Sequence, residues 1–200
     1  MKSVIVVLSG SDAELALFDP KPLYTATQVV LVRNDARRYG GYGQVGNRIL
    51  DSVLPEADVF GIVHADTTFG GMSDVQAMLE EARDHVAGIV GKALDGREVW
   101  AKNILKTECV STLDSCSLFF PTKSGLRFDT TTFDDFHLCV EDVCLQAQAK
   151  GIPVCVPPAN ANHRGTRAYD PNARGPWYEK YWLYRDRLAK KWAGTPFVTT

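Results

Sequence analysis

Short hydrophobic runs alternate with segments of helical periodicity along the first half of the chain. The runs "SVIVVLS" and "TQVVLVR" are rich in β-branched residues and are each followed by polar residues or glycine, which is typical of buried parallel strands. Between the second run and "DVFGIVHAD", the segment "GQVGNRILDSVL" places Val45, Ile49 and Val53 on one face of a predicted helix. Alternating strands and helices of this kind predict an α/β sheet.

The middle of the chain continues this pattern less regularly. In "SDVQAMLEEARDH", Ser73 precedes Gln76 by three residues, a capping-box spacing that predicts the start of a helix after "FGGM". The run "VAGIVGKAL" predicts one further strand. Partial alternation over 99–121 predicts strands that pair antiparallel.

The last third of the chain predicts a helix, a strand, a long loop and a second helix. "EDVCLQAQAKG" predicts a short helix ending at Gly151, and "IPVCV" predicts the last strand. The loop that follows is rich in Pro, Asn, Gly and Arg, a composition found in functional or mobile loops. "WYEKYWLYRDRLAKKW" puts Trp177, Tyr181 and Trp192 near one helical face, which favours packing on the sheet over stacking on a sugar.

Composition limits the class of protein. The chain has 200 residues, 45% of them hydrophobic, and fits one large domain. Its formal net charge of −2 gives no general attraction to nucleic acid or anionic membranes. No signal peptide and no integral membrane segment is predicted, so we expect a soluble, cytoplasmic protein. Five cysteines without a C-x-x-C pair argue against a disulfide framework and a zinc knuckle, and favour buried thiols.

Acidic and histidine residues mark the ends of three predicted elements. Asp66 closes a strand, and alternation puts His64 on the same side of it. A carboxylate and an imidazole suit Mn²⁺ or Mg²⁺, although Asp66 is equally suited to cap the turn "ADTTFGG". His163 follows the last strand as a further ligand or as a solvated residue. Glu141 and Asp142 open a helix, as catalytic carboxylates or as a charged first turn.

Several ordered motifs cover nearly the whole chain. "VVLVRNDARRYGGYGQVGN" contains a G-x-x-x-N segment from Gly43 to Asn47, and "GIVHADTT" is similar to a strand ending in Asp-x-Asp or N-x-D-T. "GLRFDTTTFDDFHLCVEDVCLQAQAKGIPVCVPPANANHRG" has an FD turn, an acidic doublet and a later histidine, and the tail "RDRLAKKW" is similar to F-x-x-K-W. In this order the motifs resemble family 2 glycosyltransferases, which are inverting nucleotide-sugar enzymes of GT-A fold.

The resemblance implies a fold and a division of the chain. The fold is α/β of GT-A type, a Rossmann-like three-layer α/β/α arrangement around a mixed, mostly parallel central sheet. A single domain would span 1–200, with a nucleotide-sugar-binding half over 1–98. Residues 99–176 would form the acceptor and catalytic half, including a mobile loop over 164–176. Residues 177–200 would form a C-terminal aromatic helix.

The resemblance also implies a reaction, the transfer of a hexosyl group from a nucleotide diphosphate sugar. The acceptor would be a hydroxyl on a glycan, a protein, a small molecule or a modified nucleic acid. Asp66 and His163 would hold Mn²⁺ or Mg²⁺, which stabilises the departing diphosphate. His64 stands where the family has an acidic residue, and is either a third ligand or a ribose contact. Asp142 would be the general base, with Glu141 as the alternative base or a residue that orients the acceptor.

Further residues are implied in binding the donor. Two pairs follow the first two strands, one residue lies in the predicted helix after the second strand, and the others lie at strand ends or on loops: Ser9, Gly10, Asn34, Asp35, Asn47, His64, Asp66, Asp114 and Arg164. Asp114 is also suited to be a turn residue between strands. Arg164, Arg167 and Arg174 would fold over the diphosphate or lie on the plain surface. Lys190 and Lys191 are predicted to be solvated.

Two other classes of protein share such a scaffold. A sugar nucleotidyltransferase requires a glycine-rich loop with a lysine after strand one to bind triphosphate, and "SGSDAELALFDPKP" matches that requirement poorly. A non-catalytic nucleotide-sugar-binding or carbohydrate-binding protein is favoured by His64 in place of a carboxylate. The presence of Asp66, Asp142 and His163 opposes that interpretation.

Overall fold

The computed structural model describes residues 1–16, 18–34, 38–53, 56–135, 138–164 and 176–199. Its strands are β1 (Ser3–Ser9), β2 (Gln28–Arg33), β3 (Val59–His64), β4 (Thr67–Phe69), β5 (Val86–Ala87), β6 (Val90–Lys92), β7 (Glu98–Trp100), β8 (Glu108–Cys109), β9 (Thr112–Leu113), β10 (Ser117–Pro121), β11 (Val154–Val156) and β12 (Ala161–His163). Its helices are α1 (Asp12–Ala16), α2 (Tyr42–Val53), α3 (Met72–Glu81), α4 (Cys139–Ala149) and α5 (Pro176–Lys191). Short 3-10 turns lie at Lys21–Thr25, Ala101–Asn103 and Thr122–Ser124.

The central sheet has the strand order β2-β1-β3-β10-β5-β11-β8. β1 is parallel to both of its neighbours, β5 is parallel to β11, and β10 runs antiparallel between β3 and β5. β8 closes one edge as a second antiparallel strand. The predicted fold class, α/β with a mixed and mostly parallel central sheet, is therefore confirmed. Since β10 lies between β3 and β5, the predicted halves 1–98 and 99–176 share this sheet.

Helices cover both faces of the sheet because of the direction in which the chain crosses it. The connection from β1 to β2 carries α1, and the connection from β2 back across β1 to β3 carries α2. Crossovers between parallel strands are right-handed, so two crossovers in opposite directions put their helices on opposite faces. α3 packs against the 3-10 turn Lys21–Thr25, on the same face as α1. The result is a three-layer arrangement.

The sequence predicts that β1 and β2 are both buried, but the two strands differ in burial. All seven residues of β1 are buried, since β1 has neighbours on both sides and layers on both faces. β2 alternates between exposed and half-buried residues because it is an edge strand. The prediction of a buried strand is correct for β1 and wrong for β2. Among the described residues, no helix is both long and apolar enough to cross a membrane.

The run "VAGIVGKAL" forms two strands in different sheets, so the prediction of a single strand is wrong. β5 belongs to the central sheet, whereas β6 pairs antiparallel with β7 and β9 in a separate three-stranded sheet. Gly88 lies between them, and a Cβ there would stand 2.8 Å from the Ser117 carbonyl oxygen. The missing side chain lets the backbone pass close to β10 as it leaves the central sheet.

The capping box predicted for α3 is also wrong. Gly71 occupies the N-cap position and no side chain caps the helix there, so Ser73 lies inside the first turn. The Gln76 side chain turns away from the helix start, and its Nε2 donates to Glu80 Oε1 at 2.8 Å. At the end of α4, by contrast, Gly151 has a φ of 72°, as expected for the glycine that stops a helix.

A buried carboxylate joins α4 to the C-terminal helix. Asp142 is 0% exposed, and its carboxylate accepts hydrogen bonds from Trp192 Nε1 at 2.8 Å and Gln146 Nε2 at 2.7 Å. Lys191 Nζ lies 2.9 Å from Asp142 Oδ2 and 2.8 Å from Asp129 Oδ2. Lys191 was predicted to be solvated; the residue is exposed, but its ammonium group also pairs with two carboxylates. The cluster fixes the end of α5 on α4.

This arrangement predicts that Lys191→Met destabilises the fold. The methionine keeps the apolar stem but leaves the buried Asp142 charge without its cation, so we expect the free energy of unfolding to fall by about 2–3 kcal/mol. The two other donors to Asp142 keep the loss below that of a fully unpaired charge. Urea denaturation measures it, with the exposed neighbour Lys190→Met as the control, expected to change by less than about 0.5 kcal/mol. Equal losses in the two variants would contradict the role of the cluster.

Candidate functional site

At its carboxyl end, β3 continues to hydrogen-bond with the chain segments on both sides of it. The backbone N–H of His64 donates to the Cys116 carbonyl at 2.9 Å, and that of Ala65 donates to the Leu8 carbonyl at 2.9 Å. Asp66 follows at once, and β4 begins with Thr67. The carboxyl ends of β1 and β3 thus present His64 and Asp66 from a fixed backbone.

His163 reaches this place through a small second sheet. β12 pairs antiparallel with β4, with His163 opposite Thr67, and the backbone N–H of Arg164 donates to the Asp66 carbonyl at 3.1 Å. The pairing brings His163 Nε2 to 3.2 Å from Asp66 Oδ1. β12 lies inside the segment that the sequence predicted to be a loop. The predicted association of Asp66 with His163 is thus realised by strand pairing.

His64 completes a group of three potential ligands. Its Nδ1 lies 4.0 Å from Asp66 Oδ1, and its ring centroid is 5.6 Å from that of His163. One ligand atom from each of the three residues lies within 4.8 Å of the other two. Two imidazole nitrogens and a carboxylate oxygen at this spacing fit a divalent transition metal such as Mn²⁺, which accepts both kinds of donor.

The protonation states of the three residues differ. Burial, aided by the positive charge of His163, lowers the pKa of His64 to about 4, so this imidazole is neutral near pH 7. Burial opposes the charge on the other two, but their mutual hydrogen bond and attraction outweigh it. The pKa of His163 is raised, and that of Asp66 is lowered. Without a cation, His163 and Asp66 therefore form an ion pair beside a neutral His64.

Asp114 serves the fold and also faces the site. Its Oδ1 accepts a hydrogen bond from the backbone N–H of Cys116 at 2.8 Å, which shapes the turn between β9 and β10. Atoms of Asp114, Cys116 and His163 also lie within 4.8 Å of one another. The turn role and the position near the predicted donor site are compatible, because the turn holds the carboxylate close to His163.

The loop after β1 is closed by a carboxylate that the sequence analysis did not single out. Glu14 Oε2 accepts the backbone N–H of Gly10 at 2.8 Å, and the Ser9 hydroxyl donates to the Ser11 carbonyl at 2.7 Å. The charge of Glu14 also acts on His64 and His163. An acidic residue in the first turn of the helix after strand one was the available signal, and the sequence analysis passed over it.

Tyr42 is a second site residue that the sequence analysis missed. Its ring lies 5.8 Å from that of His64, edge to face, and its side chain is buried. Burial, followed by Cys139, Cys116, Asp114 and Glu141 in that order, raises the pKa of Tyr42. It is the first residue of α2, directly after Gly40 and Gly41, and a lone tyrosine at a helix start carries no pattern that marks it as functional.

Two asparagines predicted to bind the donor are engaged with the backbone. Asn34 Nδ2 donates to the Gly40 carbonyl at 2.8 Å, and its Oδ1 accepts the Tyr39 N–H at 2.9 Å. Asn47 Nδ2 donates to the Phe128 carbonyl at 2.8 Å, and its Oδ1 accepts the Phe128 N–H at 3.1 Å. The described contacts of both side chains therefore shape the fold, and donor binding by them stays a prediction.

The second asparagine belongs to a packing device. A Cβ at Gly46 would stand 2.5 Å from the Phe128 ring, and one at Gly43 would stand 2.7 Å from the Phe128 Cβ. The G-x-x-x-N segment of α2 therefore leaves a groove for Phe128, and Asn47 locks the backbone of that residue. Several predicted residues lie outside the described ranges, namely Asp35, Arg167 and Arg174, as does the predicted mobile loop except for Arg164 and Pro176.

The two acidic residues of α4 point to different surroundings. Asp142 is held by Lys191, Trp192 and Gln146, as described above. Glu141 is 4% exposed, and its charge acts on Tyr42, whose ring contacts His64. The residue before α4, Leu138, has a φ of 58°, an unusual value for a bulky side chain, and such strained positions cluster at functional sites.

Comparisons with known proteins concern the general arrangement of the chain. No protein-family model matches it, and no curated protein matches it by sequence. Among solved structures it is similar to A197 from STIV, with 16% identity and a TM-score of 0.45 over 78% of this chain and 81% of that one. The inositol-1-phosphate CTP transferase from T. maritima has 16% identity and a TM-score of 0.45, covering 94% and 96%.

A third solved structure is the mannose-1-phosphate geranyltransferase from Thermus thermophilus. It has 12% identity and a TM-score of 0.45, covering 82% of this chain and 76% of that one. Two of the three are named as transferases, and none is named as a family 2 glycosyltransferase. At these identities and TM-scores, their activities are not transferred to this chain.

The site predicts that Mn²⁺ binding strengthens as pH rises. His163 must lose its proton to bind a metal, so affinity increases through its raised pKa, while His64 is neutral throughout. Without a metal ion, the stability of the fold changes with pH in the opposite direction. The stability that His163 gains from Asp66 is complete below its usual pKa of about 6.5 and is lost as pH rises through the raised value.

Thermal-shift measurements with and without Mn²⁺ at pH 6 and pH 8 test this expectation. The stabilisation by Mn²⁺ should be larger at pH 8, and His163→Gln should remove most of it at both values. Asp186→Asn, on the exposed surface of α5, is the control that leaves it unchanged. A shift that is independent of pH, or that survives in His163→Gln, would refute the metal site.

Proposed function

We propose that this protein transfers a glycosyl group from a nucleotide diphosphate sugar to an acceptor hydroxyl, with a divalent metal ion as cofactor. The observation that carries the proposal is the group His64, Asp66 and His163 at the carboxyl ends of β1 and β3. The chain departs from β1 towards β2 on one side and returns to β3 on the other, so this is the point where the strand order reverses. Open α/β sheets bind their ligands in the crevice at that point.

The chemistry of glycosyl transfer suits this group. The anomeric carbon gains positive charge as the bond to the diphosphate breaks, and the diphosphate oxygens gain negative charge. A bound Mn²⁺ or Mg²⁺ supplies positive charge at those oxygens. Asp66 and His163 would hold the cation, and the neutral imidazole of His64 would serve as third ligand or as ribose contact. Asp114, held by its turn, would face the donor sugar.

The general base of the proposed reaction is assigned by the contacts of the two acidic residues. The family resemblance favours Asp142, but the Asp142 carboxylate already accepts three charged or polar donors from α4 and the chain end. Glu141, the alternative base, is buried next to Asp142 in the first turn of α4, and its charge is the smallest of those that act on Tyr42. We therefore assign proton removal from the acceptor hydroxyl to Glu141, and the positioning of α4 to Asp142.

The loop after β1 lacks the phosphate-binding pattern that nucleotidyl transfer needs. Transfer from a nucleoside triphosphate needs free backbone N–H groups and a lysine to bind the phosphates. Here the Glu14 carboxylate accepts the Gly10 N–H, and no lysine lies between Ser9 and Ala16.

A product assay with a panel of nucleotide diphosphate sugars and simple acceptors tests the proposal. We expect turnover that needs Mn²⁺ or Mg²⁺, stops with a chelator, and yields by NMR an anomeric configuration opposite to that of the donor. Retention of configuration would overturn the single displacement. Release of pyrophosphate from a nucleoside triphosphate and a sugar phosphate would instead show a nucleotidyltransferase.

The assignment of the base predicts a difference between two neighbouring variants. Glu141→Gln removes the only proton acceptor that we assign, so kcat should fall by about 10²–10⁴-fold with donor affinity nearly unchanged. Asp142→Asn should lower thermal stability, since Lys191 loses a charge partner, and should lower kcat much less at a temperature where the variant is folded. The reverse ranking of the two kcat values would return the role of base to Asp142.

A further inference from the structure

A second group of metal-ligating side chains lies where α3 meets the far edge of the central sheet. Glu81 is the last residue of α3, and His85 directly precedes β5. Cys155 lies in β11, which is parallel to β5, and Cys109 lies opposite Cys155 in the edge strand β8. None of these four residues belongs to the candidate site at the ends of β1 and β3.

Three members of this group have ligand atoms close enough to share one ion, and Cys109 adjoins them through Cys155. One ligand atom from each of Glu81, His85 and Cys155 lies within 4.8 Å of the other two. Glu81 Oε1 and His85 Nδ1 form a hydrogen bond at 2.5 Å, which would have to open for both atoms to bind one ion. The Sγ atoms of Cys109 and Cys155 are 3.6 Å apart. Two thiolates bound tetrahedrally to one zinc ion at about 2.3 Å lie about 3.8 Å from each other. The observed sulfur separation is close to that value.

We propose that Glu81, His85 and Cys155 bind one Zn²⁺ ion, with Cys109 as the fourth ligand once its thiolate turns from Cys155 towards the other two. Two thiolates with an imidazole and a carboxylate form a donor set that selects zinc over manganese or magnesium, because thiolates are soft ligands. Four protein ligands leave no open position, as in structural rather than catalytic zinc sites. On binding, both thiol protons pass to solvent and two Zn–S bonds form, with no change of oxidation state.

The surroundings of the group support a built site. The Thr107 hydroxyl donates to Glu81 Oε2 at 3.1 Å and so orients the carboxylate, as outer-shell partners of metal ligands commonly do. A surface cavity of about 380 Å³ opens beside Glu81 and His85, and Glu80 and Asp84 are also in its lining. The acidic lining gives a cation an entry path.

The fold explains what the ion would do there. β8 has two residues and a single neighbour in the sheet, so its backbone pairing alone holds it weakly. Glu81 and His85 belong to α3 and the turn after it, whereas the cysteines belong to two strands. One ion would therefore join a helix end, an inner strand and an edge strand.

Cobalt substitution tests the proposal in the full-length, reduced protein. Co²⁺ bound to thiolates gives intense near-ultraviolet absorption, which we expect in the wild type. We expect the same absorption in His163→Gln, because removing the His163 imidazole affects only the site at the end of β3. Cys109→Ser, at an exposed position, and Cys155→Ser should each weaken that absorption. Each should also lower Zn²⁺ affinity in a competition assay by at least about 10-fold. Cys144→Ala, a buried thiol on α4, is the matched control and should change neither.

Other outcomes would overturn the proposal. Absence of thiolate absorption in a folded, reduced wild type would exclude Cys109 and Cys155 as ligands. Unchanged Zn²⁺ affinity in Glu81→Gln and His85→Ala together would exclude the remaining half of the site. Loss of two titratable thiols in air without metal uptake, abolished by Cys109→Ser, would show a disulfide between the strands instead. None of these readouts depends on glycosyl transfer, so failure of the proposed function leaves this test intact.

Discussion

The antiparallel pairing of β4 with β12 is the constraint on which the candidate site depends. It joins residues 94 positions apart, such as Thr68 and Asn162. The Thr68 hydroxyl also donates a hydrogen bond to the Asn162 backbone carbonyl at 3.3 Å. A two-stranded ladder of three residues is only marginally stable by itself. The ion pair of His163 with Asp66 adds to the ladder at the site itself. His163 and Asp66 therefore both help to hold β12 beside β4 and supply the ligand atoms of the site.

The fold was predictable from sequence where elements are long or buried on both faces. β1 and β3 are continuous apolar runs because both of their faces are buried, and α2 shows helical periodicity because it packs one apolar face. Strands of two or three residues, such as β5, β8 and β12, are too short to show a period. Their existence is decided by partners far along the chain, and local sequence carries no record of those partners.

The candidate site divides in a similar way. Asp66 and His163 were found because carboxylate and imidazole at strand ends are chemically conspicuous. Glu14 and Tyr42 were missed because their importance comes from burial and contact rather than from residue type. Asp142 is hydrogen-bonded by Lys191 and Trp192, which lie about 50 residues further along the chain. The acidic doublet alone therefore gave no sign that this carboxylate is occupied. Residue type predicts which groups are present, and tertiary structure decides which of them are accessible.

The position of β10 also has a consequence for how the chain is made. During synthesis β1, β2 and β3 emerge first, and together they form a parallel sheet whose apolar β3 edge has no neighbour. That edge is completed only when Ser117–Pro121 leaves the ribosome and enters antiparallel beside it. Unpaired strand edges recruit other chains, so the nascent protein passes through a stage at which it is prone to aggregate. Its dependence on chaperones would be greatest in the interval between the third strand and the tenth.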